Sequence, residues 1–175
     1  MPDSLDPQGP PWPQYAQAVV ELVLDGTHLV LTPLTGGAGA ERASGPASAL
    51  AAWQPPIWVL TAGDPYPLAL TEAENAERAR LLCAELDAAG ITHDPALGSA
   101  PDGSTSEVSR ALRGIDRAQA CAIAARHGQL AVYEIDDLLR CVDVASGTVV
   151  TAHAFATRRA AAGDGRLSGP TGWRG

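Results

Sequence analysis

Between Ile57 and Ile135 the sequence alternates short apolar runs with two segments capped at both ends as helices. This alternation constrains the fold more than any other feature. Ile57–Ala62 (IWVLTA) is a continuous apolar run, as expected of a strand buried on both faces. Thr71 and Glu74 form a T-x-x-E capping box ahead of a helix. Ala79, Leu82 and Leu86 mark its apolar face, and Gly90 supplies the C-cap. Ile91–Gly98 reads as a weak strand that Pro95 demotes to an edge. Glu107–Ile115 is a further strand. Asp116 caps a second helix, Arg117–Arg126, with Gln119 in the reciprocal position and Gly128 ending it. Leu130–Ile135 and Leu138–Ala145 are two more strands.

The order strand, helix, strand, strand, helix, strand is the split βαβ, or ferredoxin-like, pattern. Ahead of it, AVVELVLDGTHLVLTP places two apolar runs around Asp25-Gly26, a strong hairpin signal. The expected fold is an α+β two-layer sandwich. In it a ferredoxin-like core with two helices on one face is extended by the N-terminal hairpin and the Leu138 strand. One domain over residues 15–150 accounts for most of the 175 residues. The Pro-rich residues 1–14 read as a disordered arm, residues 33–56 as a long Gly/Ala/Pro loop, and residues 157–175 as a flexible Gly/Arg-rich tail.

Charge narrows the function classes. All twelve cations are Arg, which excludes Schiff-base, P-loop and catalytic-lysine chemistry. The net charge of −8 and the lack of aromatic RNA-binding signatures argue against nucleic acid as a partner. No run approaches the length of a membrane span, and the first residues lack a signal-peptide pattern, so the expected compartment is the cytoplasm. Cys83, Cys121 and Cys141 are odd in number and widely spaced. They fit neither a disulfide framework nor a zinc site and read as small buried apolar side chains. The four histidines are scattered, without H-x-x-x-H spacing, and no G-x-S-x-G elbow occurs. No cofactor or metal is therefore expected.

Four motifs stand in a fixed order: Thr61-Ala62-Gly63-Asp64-Pro65; Glu74-Asn75 with Arg78 one turn on; Glu107-x-Ser109; and His127-Gly128-Gln129-Leu130-Ala131-Val132-Tyr133. This order resembles an uncharacterised bacterial family, domain-of-unknown-function family 3293, over roughly residues 15–145. The chain departs from the family pattern at Asp64, where Asn is usual, and at Val108, where an acid is frequent. The resemblance implies no reaction.

On the expected topology, with strands Ile57–Ala62 and Glu107–Ile115 parallel, Thr61, Asp64, Asn75, Arg78 and Gln129 gather at one sheet edge beside two helix N-termini. Glu107 and Ser109 form a second polar group about 20 Å away, the length of a six-residue strand. Structural ties within the loop and contact with a ligand or partner are both consistent with the first cluster. The leading reading is a small non-catalytic binding or interaction module that recognises a protein or small polar ligand through this polar edge. The alternative is a small enzyme with Asp64 as acid/base or metal ligand. A raised Asp64 pKa in a concave pocket would favour the enzyme; side chains bonded to loop backbone would favour the module. Residues 64–107 hold nine acids against Arg78 and Arg80, either a solvated face or a docking face for a basic protein. No oligomeric state is implied.

Overall fold

A computed structural model describes residues 10–34, 50–65 and 68–160. Much of the arm, of the 33–56 loop and of the C-terminal tail expected from the sequence lies outside these residues.

The described chain runs through a one-turn helix α1 (Trp12–Tyr15), strands β1 (Val19–Leu24) and β2 (Thr27–Pro33), a 3₁₀ turn (Ala51–Trp53) and β3 (Ile57–Thr61). Helix α2 (Glu72–Ala88), strands β4 (Thr92–Ser99) and β5 (Ser106–Arg113) and helix α3 (Arg117–Arg126) follow. Strands β6 (Ala131–Ile135), β7 (Leu139–Asp143), β8 (Val149–His153) and β9 (Phe155–Arg159) complete it. The local signals act where the sequence puts them. Both capping boxes form, Thr71 with Glu74 and Asp116 with Gln119. Asp25 and Gly26 both adopt positive φ at the β1–β2 turn, the conformation a two-residue hairpin requires.

All nine strands join one sheet in the order β8-β7-β6-β3-β5-β4-β1-β2-β9. Every neighbouring pair is antiparallel. The edge strands β8 and β9 are consecutive in the chain, separated only by Ala154. With consecutive Cα atoms about 3.8 Å apart, His153 and Phe155 stand within about 8 Å of each other. The two sheet edges therefore meet at that corner, and the sheet curls into a nearly closed barrel.

This overturns the two-layer ferredoxin-like sandwich. Helices α2 and α3 do cover one face, packing Leu82, Leu86, Ile123 and Ala124 against Trp58, Leu60, Leu112, Val132 and Val142. The other face is not open. It closes on itself, with Val20, Leu22, Leu24, Leu31 and Phe155 meeting Ile57, Val59, Ile135 and Leu139 in a second core. Two strands absent from the sequence reading make the difference. VVTAH and FATRR are largely exposed and carry no apolar alternation, yet β9 pairs along β2. Strand β4 is also interior rather than an edge, flanked by β1 and β5. Its ladder to β1 ends at Leu22 opposite Ala96, one residue short of Pro95, so the missing N–H breaks nothing on that side. Strand β3, buried at all five positions, lies between the two cores, which accounts for its unbroken apolar run.

Among the described residues, no helix is long and apolar enough to cross a membrane. Cys121 and Cys141 are buried, and burial pushes the Cys141 thiol up to about 12, so it is no nucleophile at neutral pH.

Candidate functional site

The loop leaving β3 is built by side chains that bond its backbone. Thr61, at the end of the strand, accepts from the Gly63 N–H at 3.0 Å and donates to the Val108 carbonyl at 2.8 Å. Asp64 adopts positive φ, a conformation unfavourable to most side chains but accessible to Asp and Asn. Asn75, in the first turn of α2, holds it there. The Asn75 Oδ1 accepts from the Asp64 N–H at 2.8 Å, and its Nδ2 donates to the Asp64 carboxylate at 3.0 Å. The Leu70 N–H donates to the same carboxylate oxygen at 2.8 Å. Gly63 passes close to this clasp; a Cβ there would lie 3.3 Å from Asn75 Oδ1. Gln129 donates to the Gly63 carbonyl at 2.7 Å. Arg78 donates to the carbonyls of Ala62 and His127, tying the loop to the C-terminus of α3.

Thr61, Asp64, Asn75, Arg78 and Gln129 thus come together at one end of β3, and each is bonded to backbone or to the loop. Hydrogen bonds from the Leu70 N–H and the Asn75 amide hold the Asp64 carboxyl below its ordinary range, outweighing its slight burial. This is the reverse of what a neutral-pH general acid needs. Among the described residues no group of three or more His, Cys, Asp or Glu side chains could hold a metal ion.

Glu107 and Ser109 do not form a separate group. Strands β3 and β5 pair antiparallel, not parallel, with Thr61 directly opposite Ser109. The end of β3 therefore meets the beginning of β5, and the 20 Å separation expected from the sequence disappears. Asp64 lies close enough to Glu107 for its charge to act on that carboxyl.

Thr61, Glu107, Ser109 and Gln129 line a cavity of about 260 Å³ at the Thr61 end of the barrel interior, whereas Asp64, Asn75 and Arg78 stay in the loop beside it. The inward-facing rows explain why it exists. Going toward this end, Val59 gives way to Thr61, Ala111 to Ser109 and Glu107, Ala96 to Gly98, and Ile135 to Tyr133 and Ala131. Gly98 and Ala131 leave space there, and Thr61, Ser109 and Glu107 line it with polar groups. Gly98 sits between Val20 on β1 and Glu107 on β5, and a Cβ built on it meets nothing within 4 Å. Across the opening lies α1. The Tyr133 hydroxyl, from β6, donates to the Tyr15 carbonyl at 3.0 Å, and Pro11, Gln14 and Tyr15 form part of the cavity wall. A segment that reads from sequence as part of a disordered arm is thus ordered from Trp12 onward as one side of the site.

Among the described residues, Glu107 is the sole charged one lining the cavity. Its surface remains accessible from the open side, yet protein crowds it on the others. Burial, and then the negative charge of Asp64, raise its pKa above the ordinary carboxyl value. Burial likewise raises the Tyr133 hydroxyl far above its ordinary value. Gly98 and Tyr15 escape a motif reading, and Tyr133, although within the last motif, is not singled out as a site residue. The detectable signal is the change from apolar side chains to glycine and polar ones along the inward rows, visible only once the register is known.

Barrel, overlying helices and mouth cavity define a β-rich protein with one small polar site. Residues 60–132 match the family described as Protein of unknown function (DUF3293). The matched stretch contains helices α2 and α3 and the residues Thr61, Asp64, Asn75, Arg78, Glu107, Ser109 and Gln129. No curated protein and no solved structure matches the chain.

Proposed function

We propose that the chain is a binding module that takes a small polar ligand in the mouth of its barrel. The observation that carries this reading is the cavity itself, an interior left open where Gly98, Ala131 and Ser109 replace core side chains and Glu107 enters. Ligand pockets for drug-sized molecules run about 300–1,000 Å³. At about 260 Å³, this one suits something smaller.

A docking face for a basic protein has less support. Four of the nine acids of residues 64–107 have ion-pair partners within the chain: Glu77 with Arg80, Glu85 with Arg126 and His127, Asp87 with His93, and Asp94 with Arg113. Glu74 belongs to a helix cap. The enzyme reading moves from Asp64, which is committed to its loop, to Glu107. A carboxyl of raised pKa in a concave site is the profile of an acid/base group, and this supports proton transfer as a second reading. Three free cysteines suit a reducing compartment, which supports placing the module in the cytoplasm.

The test is a thermal-shift screen of small metabolites on the full chain beside Gly98→Val, whose side chain occupies the cavity. A ligand present at about 100 times its Kd stabilises the folded state by about 2.7 kcal/mol. A compound that raises the Tm of the parent chain but not of Gly98→Val supports the reading. Equal shifts in both, or none across the screen, count against it.

A further inference from the structure

Resting on that reading, we propose that the ligand of the mouth cavity is a small organic cation, a protonated amine held by the Glu107 carboxylate. Among the described residues, the lining contains no Arg or His to answer an anionic ligand. Arg78, on the loop beside the site, is spent on the Ala62 and His127 carbonyls. The second charge acting on the site, Asp64, has the same sign as Glu107. Among the described residues, no hydrogen bond or ion pair engages the Glu107 carboxylate.

Three hydroxyls and one amide of the lining point the same way. Thr61 donates to the Val108 carbonyl, Ser109 to the Glu107 carbonyl at 3.1 Å, Tyr133 to the Tyr15 carbonyl and Gln129 to the Gly63 carbonyl. Each of these three hydroxyls has used its one proton inside the protein and keeps a lone pair on its oxygen. Beside the Glu107 carboxylate these groups offer acceptors, and a ligand complementary to them brings N–H donors and positive charge. An ammonium group has three donors and no acceptor, and Tyr15 and Tyr133 supply aromatic surface of the kind cations favour. Such a ligand also relieves the unfavourable proximity of Glu107 to Asp64. Binding favours the ionised form of Glu107, so affinity falls as pH is lowered through the titration of that carboxyl.

The experiment titrates the isotope-labelled full chain with three near-isosteric probes: n-propylammonium, n-propanol and propionate. The amide signals of Gly98, Ser109, Ala131 and Tyr133 are followed by NMR. The expected result is saturable shifts with n-propylammonium, binding about tenfold tighter than n-propanol, the scale of one charge-assisted hydrogen bond, and none with propionate. Glu107→Gln is expected to lose about that tenfold, Glu107→Asp to keep part of it, and Gly98→Val to abolish the shifts. The n-propylammonium affinity of the parent chain is expected to fall as pH is lowered through the carboxyl titration, and that of Glu107→Gln to stay unchanged. Comparable affinity for n-propanol or propionate overturns the cation and leaves the cavity reading standing. Undiminished n-propylammonium binding by Glu107→Gln does the same. Failure of every probe to move these four amides overturns both.

Discussion

Gly98 and Glu107 face each other across the β4–β5 ladder, and the glycine is what gives the carboxylate room. A side chain at position 98 projects into the interior beside Val20, where nothing lies within 4 Å of a Cβ. Glycine within a strand costs about 0.5–1 kcal/mol relative to alanine through backbone entropy. Gly98→Ala is therefore expected to raise stability by about that amount in urea unfolding. A loss of stability would show that the space is already filled.

Glu107 carries the opposite kind of cost. Its pKa is raised in the folded state, so the fold binds that proton more tightly than the unfolded chain does. The associated stability is fully present below the unfolded value, near the ordinary 4.5, and is lost as pH rises through the folded one. At pH 7 the ionised group destabilises the fold. Glu107→Gln is thus expected to melt above the parent chain at pH 7, with the gap closing as pH falls through the ordinary carboxyl range. Melting curves over pH 4–8 check this. A Gln variant less stable at pH 7 would mean that the carboxylate has a partner.

Asn75 acts on the loop and not on the cavity. Its amide pairs with both the N–H and the carboxylate of Asp64. Asn75→Ala leaves those groups unpaired in a half-buried position, at an expected cost of about 1–3 kcal/mol. Asn75→Asp keeps the acceptor but sets one carboxylate against another, and is expected to cost at least as much at pH 7 and less in acid. Chemical denaturation measures both. A change under about 0.5 kcal/mol for Asn75→Ala would free this side chain for a ligand role.

The capping boxes, the Asp25-Gly26 hairpin and the buried β3 run were legible because each is encoded within a few neighbouring residues. The barrel was not, because β8 and β9 carry Thr, His and Arg with Phe155 as their one buried residue, and β9 owes its pairing to β2, distant in sequence. Thr61, Asp64, Asn75, Arg78 and Gln129 were legible as a group, while the place of Glu107 and Ser109 beside them was not. Assigning β3 and β5 as parallel sends Glu107 to the far edge; the antiparallel register brings Ser109 opposite Thr61. Side-chain direction along four strands then separates the loop-holding Asn75, Arg78 and Gln129 from the cavity-facing Glu107.

Tyr133 ties the barrel to α1 through the Tyr15 carbonyl. Tyr133→Phe keeps the ring in the core and removes that bond, at an expected cost of about 1 kcal/mol. Its sharper signature is local. Amide exchange of residues 12–18 is expected to quicken while exchange in β3 stays unchanged, since a frayed segment opens without global unfolding. Uniform acceleration in both places would mean that α1 is integral to the barrel and does not open separately.

Asp64 tests the coupling between loop and cavity. Its folded pKa lies below the ordinary 3.8, so it contributes stability that is present above the unfolded value and lost as pH falls through the folded one. Asn at this position still accepts from the Leu70 N–H and tolerates positive φ. Asp64→Asn is expected to cost less than about 1 kcal/mol at pH 7, with the difference vanishing in acid, whereas Asp64→Ala loses both bonds and costs about 1–3 kcal/mol. Removing the Asp64 charge also removes the second cause of the raised Glu107 pKa. The Glu107 carboxyl followed by NMR titration in Asp64→Asn is therefore expected to titrate at lower pH than in the parent chain, while its burial keeps it above the ordinary value. An unchanged Glu107 titration would mean that the two carboxylates do not sense each other and that the mouth of the barrel works independently of the loop beside it.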